Sequence, residues 1–246
     1  MESFINFFNR NAKNYASSKS HMYGKDLDLL ISMLNPKENQ KALDLGTGPG
    51  FVSSKLAEKT SISIGIDLTP HMLDIANKRA INTPNLVFVK GDVTSLPFPD
   101  NSFDLVTCRR VAHHVMKKEK MIEEARRVLK SGGKLGLTDI LKPMGDKLNL
   151  LDKLEKIRDP TYINSLSLDN WFKLLKEHAL NMEDFKVFKV NETFESWLSP
   201  VSIKSENGRK ARKLLNDNID YFKEVFEYDK KSDSFNKTRF VIIANK

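Results

Sequence analysis

Between residues 41 and 140 short apolar runs alternate with longer stretches whose apolar positions fall three and four apart. The runs are 41–46, Ile62–Ile66, Leu86–Val89, Phe103–Cys108 and Lys134–Ile140. Runs of this length, bounded by Gly, Asp or Asn, read as buried strands, and the periodic stretches between them as helices. One helix begins at Phe51. Another opens at Thr69 and Pro70, with the threonine as N-cap and the proline in the first turn, and continues through Met72, Leu73, Ile75, Ala76 and Ala80. A third covers 118–130, where Met121, Ile122, Ala125, Val128 and Leu129 form one stripe, and it stops at Ser131, Gly132 and Gly133. Alternation of strand and helix in this order predicts an α/β fold, doubly wound around a mostly parallel sheet.

Outside that core the pattern is looser. Phe4, Ile5, Phe7 and Phe8 start an N-terminal helix, and Leu27, Leu30, Ile31 and Leu34 form a second that ends at Asn35 and Pro36. Beyond Ile140 a Leu148, Leu151, Leu154 stripe and a Trp171, Leu174, Leu175, His178 helix precede a sixth strand, Phe185–Val190. Phe194–Leu198 and one long helix from Ala211 through Leu214, Leu215, Asn218, Ile219 and Phe222 to Phe226 then lead to a seventh strand, Arg239–Ala244. The expectation is a single domain over 1–246. It has a helical N-terminal cap at 1–40, a ligand-binding core at 41–140, and substrate-side helices with the last two strands of a seven-stranded sheet at 141–246.

Composition narrows the class. No stretch of about 18 apolar residues occurs, so no membrane span is expected, and the first ten residues lack the form of a signal peptide. The single cysteine, Cys108, lies within the fourth apolar run and reads as a buried structural thiol; with no disulfide possible, a cytoplasmic setting is expected. The net charge of +8 invites a nucleic-acid reading, but the lysines are interleaved with acids along helical faces and read as solvated surface.

The candidate chemistry sits at the carboxyl ends of the strands, where ligands of doubly wound sheets bind. The first strand runs through Asp44 into Gly46, Thr47, Gly48, Pro49 and Gly50, a spacing that differs from the dinucleotide fingerprint because position 51 is Phe51. Asp67, with Leu68 beside it, ends the second strand, where a carboxylate accepts from both ribose hydroxyls. Gly91, Asp92 and Val93 end the third, offering an acceptor for an adenine amino group and an apolar cover for its ring. Arg109, Arg110, Val111, Ala112, His113 and His114 follow the fourth.

The Asp-x-Gly-x-Gly-x-Gly pattern resembles the first motif of the class I S-adenosylmethionine-dependent methyltransferases. Gly91–Val106, the Arg110–His114 segment and Arg127–Leu135 are similar to the corresponding regions of small-molecule enzymes like the ubiquinone/menaquinone-biosynthesis C-methyltransferases. Tyr15, Ser18, His21 and Gly24 are similar to their N-terminal pattern. The resemblance covers about residues 12–190. It implies the Rossmann-like methyltransferase fold and S-adenosyl-L-methionine as cofactor, leaving as S-adenosyl-L-homocysteine. It also implies a cofactor site of Tyr15, Asp44, Gly46, Thr47, Gly48, Gly50, Asp67, Leu68, Gly91, Asp92, Val93, Arg109 and Arg110.

Methyl transfer from a sulfonium needs alignment and dryness more than a reactive side chain. Where a base is required, His113 and His114 are the candidates, and as neighbours at a helix start only one of them is expected to face the substrate. Each competes with a histidine simply bonded to backbone. Arg109 and Arg110 either bind an anionic acceptor or the cofactor carboxylate, or at least one of them lies at the surface. Trp171, Phe172, Phe194, Trp197 and Leu198 either line the acceptor pocket or pack in the core. The leading reading is a small-molecule methyltransferase without a metal. The alternatives are a nucleic-acid (RNA) methyltransferase and a non-catalytic cofactor-binding protein. The Asn/Asp-Pro-Pro-aromatic motif of amino-methylating nucleic-acid enzymes is replaced here by Cys108, Arg109, Arg110 and Val111.

Overall fold

A computed structural model describes residues 2–199 and 201–246. Three N-terminal helices come first: α1 (Glu2–Ser17), α2 (Lys19–Tyr23) and α3 (Lys25–Leu34). Then follow β1 (Lys41–Leu45), α4 (Phe51–Ala57), β2 (Ile62–Asp67), α5 (Pro70–Arg79), β3 (Leu86–Lys90) and β4 (Phe103–Arg109). A single 3-10 turn, Ala112–His114, separates β4 from α6 (Lys118–Val128) and β5 (Leu129–Ile140). The last third contains α7 (Leu150–Arg158), α8 (Leu168–Glu177), β6 (Asn181–Thr193), α9 (Phe194–Leu198), α10 (Glu206–Asp217), α11 (Ile219–Phe226) and β7 (Ser234–Asn245).

The seven strands form one sheet in the order β3-β2-β1-β4-β5-β7-β6. All neighbours are parallel except β7, which runs antiparallel between β5 and β6. Order reverses between β1 and β4, which makes the carboxyl ends of these two strands the switch point. The central strands read as unbroken apolar runs because helices cover both faces. On one face α3 and α4 bring Leu27, Leu30, Leu34, Phe51 and Leu56 against Leu105, Val241 and Ile243. On the other, α6 and α8 bring Met121, Ile122, Ala125, Trp171 and Leu175 against Leu43, Val106, Phe240 and Ile242. A separate cluster joins α7, α9, α10 and α11 to Ile140 and Phe235. Cys108 is buried in the α6 face, and burial pushes its thiol well above the ordinary range.

Three expectations change in detail. The helix expected to run unbroken through Ala211 and Phe226 is two helices, because Asn218 leaves helical geometry (φ −128°, ψ 30°) while its side-chain amide donates to Leu214 O at 2.9 Å. A polar side chain able to bond its own preceding turn offers the backbone an alternative to the helix. Thr69 makes no side-chain cap; its backbone N–H donates instead to Asp67 Oδ1 at 2.8 Å, so the aspartate organises the start of α5. The α6 stripe ends at Val128, and Leu129 already belongs to β5.

Candidate functional site

At the switch point a cavity of about 1260 Å³ opens between the strand ends and the N-terminal helices. Its walls include Tyr15 and His21 from the cap, Gly46–Pro49 after β1, Asp67–Thr69 after β2, Gly91–Thr94 after β3, and Arg109–Val111 with His113 and His114 after β4. It extends beyond these to Arg158, Thr161, Glu192, Trp197, Lys237 and Arg239.

The glycine turn owes its shape to a buried hydroxyl relay. Asp44, 1% exposed, accepts from Ser53 Oγ at 2.9 Å and Thr107 Oγ1 at 2.8 Å, and Thr47 Oγ1 lies 2.6 Å from Ser53 Oγ. Because Ser53 gives its proton to Asp44, Thr47 donates to Ser53. Burial pushes the Asp44 carboxyl up to about 6, and the surrounding hydroxyls oppose that shift. Asp44 borders the cavity, but both of its oxygens are engaged in holding the turn to β4 and α4. Asp67 spans the mouth of the turn: Oδ2 accepts from Gly48 N and Oδ1 from Thr69 N, both at 2.8 Å. Each oxygen keeps a lone pair for a ligand hydroxyl. Burial raises its carboxyl despite these backbone donors.

Gly48 and Gly50 play different parts. Both lie at left-handed φ, +52° and +84°. A Cβ on Gly48 would meet no protein atom within 4 Å, so the backbone is bare on the cavity side. A Cβ on Gly50 would lie 2.7 Å from Phe88 Cζ, and Gly50 does not line the cavity. The structure gives Gly50 a packing role: it sets the start of α4 against β3.

Asp92 Oδ1 accepts from Thr94 N and Thr94 Oγ1 at 2.8 and 2.7 Å, and Val93 lies beside it on the cavity wall. Oδ2 takes no hydrogen bond among the described residues.

The two arginines after β4 are not at the surface, which corrects one of the two readings given to them. Their side chains are 5% and 8% exposed, and both guanidinium groups fork onto Asp26 of α3 at 2.7–3.2 Å. Arg109 also donates to His21 O at 2.9 Å, and Arg110 to Ser20 Oγ at 3.1 Å. Arg110 itself sits at φ +58°. Two cations on one carboxylate thus lock the cap helices to the end of β4.

His113 and His114 both line the cavity, where only one was expected to, with ring centroids 4.0 Å apart. The reason is that each is tethered separately, by side chains rather than by backbone. His113 Nδ1 lies 2.5 Å from Asp139 Oδ1 on β5, and its backbone N donates to Asp139 Oδ2 at 3.1 Å. Burial opposes ionisation of Asp139, yet the His113 contacts hold its carboxyl below the usual range. His114 Nδ1 lies 2.9 Å from Thr161 Oγ1, which itself donates to Asp159 Oδ1 at 2.6 Å. The threonine proton being committed, His114 donates from Nδ1 and keeps its lone pair on Nε2. Burial, with His113 adding to it, drives the His114 imidazole well below its ordinary value and keeps it neutral. Phe4 and Phe8 of α1 pack edge-on to His114 at 6.0 and 5.1 Å, and Tyr15 packs tilted against Phe8 and edge-on to His21.

Residues 43–137 match a family model described as a methyltransferase domain. Over 222 residues, 89% of this chain and 88% of the other, the sequence is 30% identical to the uncharacterized methyltransferase YcgJ of Bacillus subtilis. The chain belongs to the class I S-adenosylmethionine-dependent methyltransferase family. The crystal structure of YcgJ superposes on this methyltransferase with a TM-score of 0.84 at 28% identity, covering 90% of this chain and 97% of that one. A putative methyltransferase of Bacillus halodurans gives the same TM-score and identity over 91% and 99%. A demethylmenaquinone methyltransferase of Paenarthrobacter aurescens is 34% identical over 116 residues, 47% of this chain and 45% of its own.

The methyltransferase cavity also holds residues that the sequence reading passed over. Arg158, Glu192, Lys237 and Arg239 lie on its far wall. The available signal was on β7, where Lys237 and Arg239 sit two apart, just ahead of the apolar run Phe240–Ala244, and so share a face. Of the aromatic candidates, Trp197 reaches the cavity. Trp171, Phe194 and Leu198 belong to the core.

Proposed function

We propose that this chain transfers a methyl group from S-adenosyl-L-methionine to a small-molecule acceptor inside the cavity. The observation that carries the proposal is the cavity's size and reach: about 1260 Å³, lined from the glycine turn past His113 to β7, with α1 and α2 as a roof over part of it. Single-ligand pockets are roughly 300–1,000 Å³, so there is room for a cofactor and an acceptor together. An acceptor seated under that roof is a small molecule rather than a polynucleotide.

The residues present suit the cofactor. Asp67 retains two acceptor sites for the vicinal ribose hydroxyls, Asp92 Oδ2 is open beside Val93 for an adenine amino group, and the bare backbone of Gly48 admits the amino-acid portion. Tyr15 and Leu68 line the same end, together with Gly46, Thr47 and Gly91. When bound, the cofactor supplies an electrophilic methyl group on a sulfonium that departs as a neutral thioether. The chain's own part is to align, to exclude water and to take a proton from the acceptor where one must leave. His113 fits that last role. With Nδ1–H donated to Asp139, its Nε2 lone pair is free, and the carboxylate stabilises the imidazolium formed. His114, held neutral by burial, is the weaker base, and with Phe4 and Phe8 it keeps the neighbourhood of His113 dry.

Calorimetric titration with S-adenosylhomocysteine tests the cofactor site. Asp67→Ala removes a carboxylate that also pins Gly48, and hydrogen bonds to a charged group contribute about 1.5–3 kcal/mol. Affinity is expected to fall roughly 10–150-fold; a change below about threefold, or no binding by the wild type, removes the basis for this reading. The two glycines offer a companion test. Gly50→Ala is expected to destabilise the fold by about 1–3 kcal/mol with cofactor affinity kept. Gly48→Ala is expected to weaken binding, since its methyl group enters the cavity. Equal loss of affinity in both would return Gly50 to the ligand-binding set.

A further inference from the structure

The far wall of the cavity contains a guanidinium with two buried donors that meet no acceptor among the described residues. Arg239 is 4% exposed, and its Nε and Nη1 are buried with no hydrogen-bond acceptor among the described residues. Every other cation on that side is answered. Arg158 forks onto Glu155 at 2.7–3.0 Å, and Lys237 lies 3.4 Å from Glu155 Oε1 and 3.1 Å from Glu192 Oε2. Asp26 is already shared between Arg109 and Arg110. Asp26, Glu192 and Asp139 lie near enough to favour the charge of Arg239, but no carboxylate among the described residues accepts a hydrogen bond from its Nε or Nη1. A buried guanidinium without an acceptor is costly to a fold, and a ligand anion removes that cost.

Its position places this vacancy on the acceptor side. On β7, Arg239 pairs with Ile140 of β5, the residue after Asp139, which anchors His113. The glycine turn and Asp67 lie across the switch point on β1 and β2. The lining of the same cavity also includes Ile140, Pro160, Ile163 and Trp197, which suit an apolar body.

We propose that Arg239 is the anchor of an anion subsite, and that the methyl acceptor carries a carboxylate or phosphate group that seats there while its reacting atom faces His113. This rests on the methyltransferase reading of the cavity and specifies its substrate class: an acidic small molecule with an apolar body. A guanidinium matches either anion through parallel N–H donors. Lys237, a single ammonium already held by two carboxylates, does not duplicate it.

The test uses the full chain and three probes of one shape: benzoate, phenyl phosphate and the neutral benzamide. Their affinities are measured by calorimetry with and without saturating S-adenosylhomocysteine, for wild type, Arg239→Met and Arg239→Lys. Wild type is expected to bind at least one anion about tenfold or more tighter than benzamide. The discrimination disappears in Arg239→Met and partly returns in Arg239→Lys, while affinity for S-adenosylhomocysteine stays within about twofold. Which anion wins decides between carboxylate and phosphate. The ligand-free Arg239→Met protein is expected to melt at or above the wild-type temperature, because a buried guanidinium with two unmet donors has been removed. Three results would overturn the proposal. They are equal discrimination in wild type and Arg239→Met, a tenfold loss of S-adenosylhomocysteine affinity that assigns Arg239 to the cofactor carboxylate, or a lowered melting temperature that shows a structural role. Failure of the wild type to bind S-adenosylhomocysteine counts against the methyltransferase reading alone, since the anion arms are run without it as well.

Discussion

Asp26→Asn is expected to lower stability by about 3–5 kcal/mol, the cost of leaving a buried ion pair without one of its members. Here the loss falls on two guanidinium groups at once, because Arg109 and Arg110 both depend on this carboxylate and their side chains are 5% and 8% exposed. At about 2–4 °C per kcal/mol for a chain of this size, the melting temperature is expected to drop by roughly 6–20 °C. Glu58→Gln serves as the control, since its i,i+3 partner Lys55 is 47% exposed and an exposed pair contributes about 0–1 kcal/mol. A drop no larger than that of the control would show that the clasp does not carry stability. The sign of the pH dependence follows from the same geometry. Burial alone would raise the Asp26 carboxyl, but Arg110 and Arg109 outweigh it and hold the group far below the usual carboxylate range. A folded value below the unfolded one means that the stabilisation is complete well above pH 4, declines as pH falls below about 4, and is gone once pH passes the folded value, in strong acid.

His113→Gln is expected to lower kcat by about 10²–10⁴, the usual contribution of a positioned general base. Affinity for S-adenosylhomocysteine should be unchanged within about twofold, because His113 is held through Asp139 and not through the glycine turn. His114→Gln is expected to cost about tenfold or less, since a neutral, desolvated imidazole gains little by accepting a proton. The measurement is single-turnover methyl transfer to whichever acceptor a screen of acidic small molecules returns. Equal losses for the two histidines, or none for either, would reduce the pair to packing. For an acceptor that loses no proton, the His113 effect should vanish, so the comparison also reports the chemistry of the acceptor atom.

The sheet was legible because its signal is local. Five apolar runs alternating with amphipathic stretches place β1 to β5, and the turn at Gly46 to Gly50 marks the switch point without any knowledge of tertiary contacts. Asp67 and Asp92 followed from their places at strand ends. What the sequence concealed is long-range. Asp26 lies 83 and 84 residues from the arginines it holds, and nothing in Lys25–Leu34 distinguishes it from Asp28, which faces water. Gly50 was grouped with Gly48 by spacing alone, yet the side of the turn on which each hydrogen lies depends on Phe88 from another strand. The break at Asn218 was hidden because the apolar spacing continues across it. Arg239 escaped notice because a cation beside an apolar run is ordinarily solvated, and only its place between β5 and β6 removes the water.

The antiparallel placement of β7 has a bearing on how the molecule is made. The last strand along the chain fills an interior position in the sheet, between β5 and β6, with register contacts to both over most of its length. Until residues 234–245 leave the ribosome, β5 and β6 each present an open edge, and the cavity lacks the wall that bears Lys237 and Arg239. Between the completion of β6 at Thr193 and the arrival of β7 at Ser234, a nascent chain therefore carries two adhesive strand borders. Products terminated before residue 234 lack the strand that joins β5 to β6, and their sheet stays open.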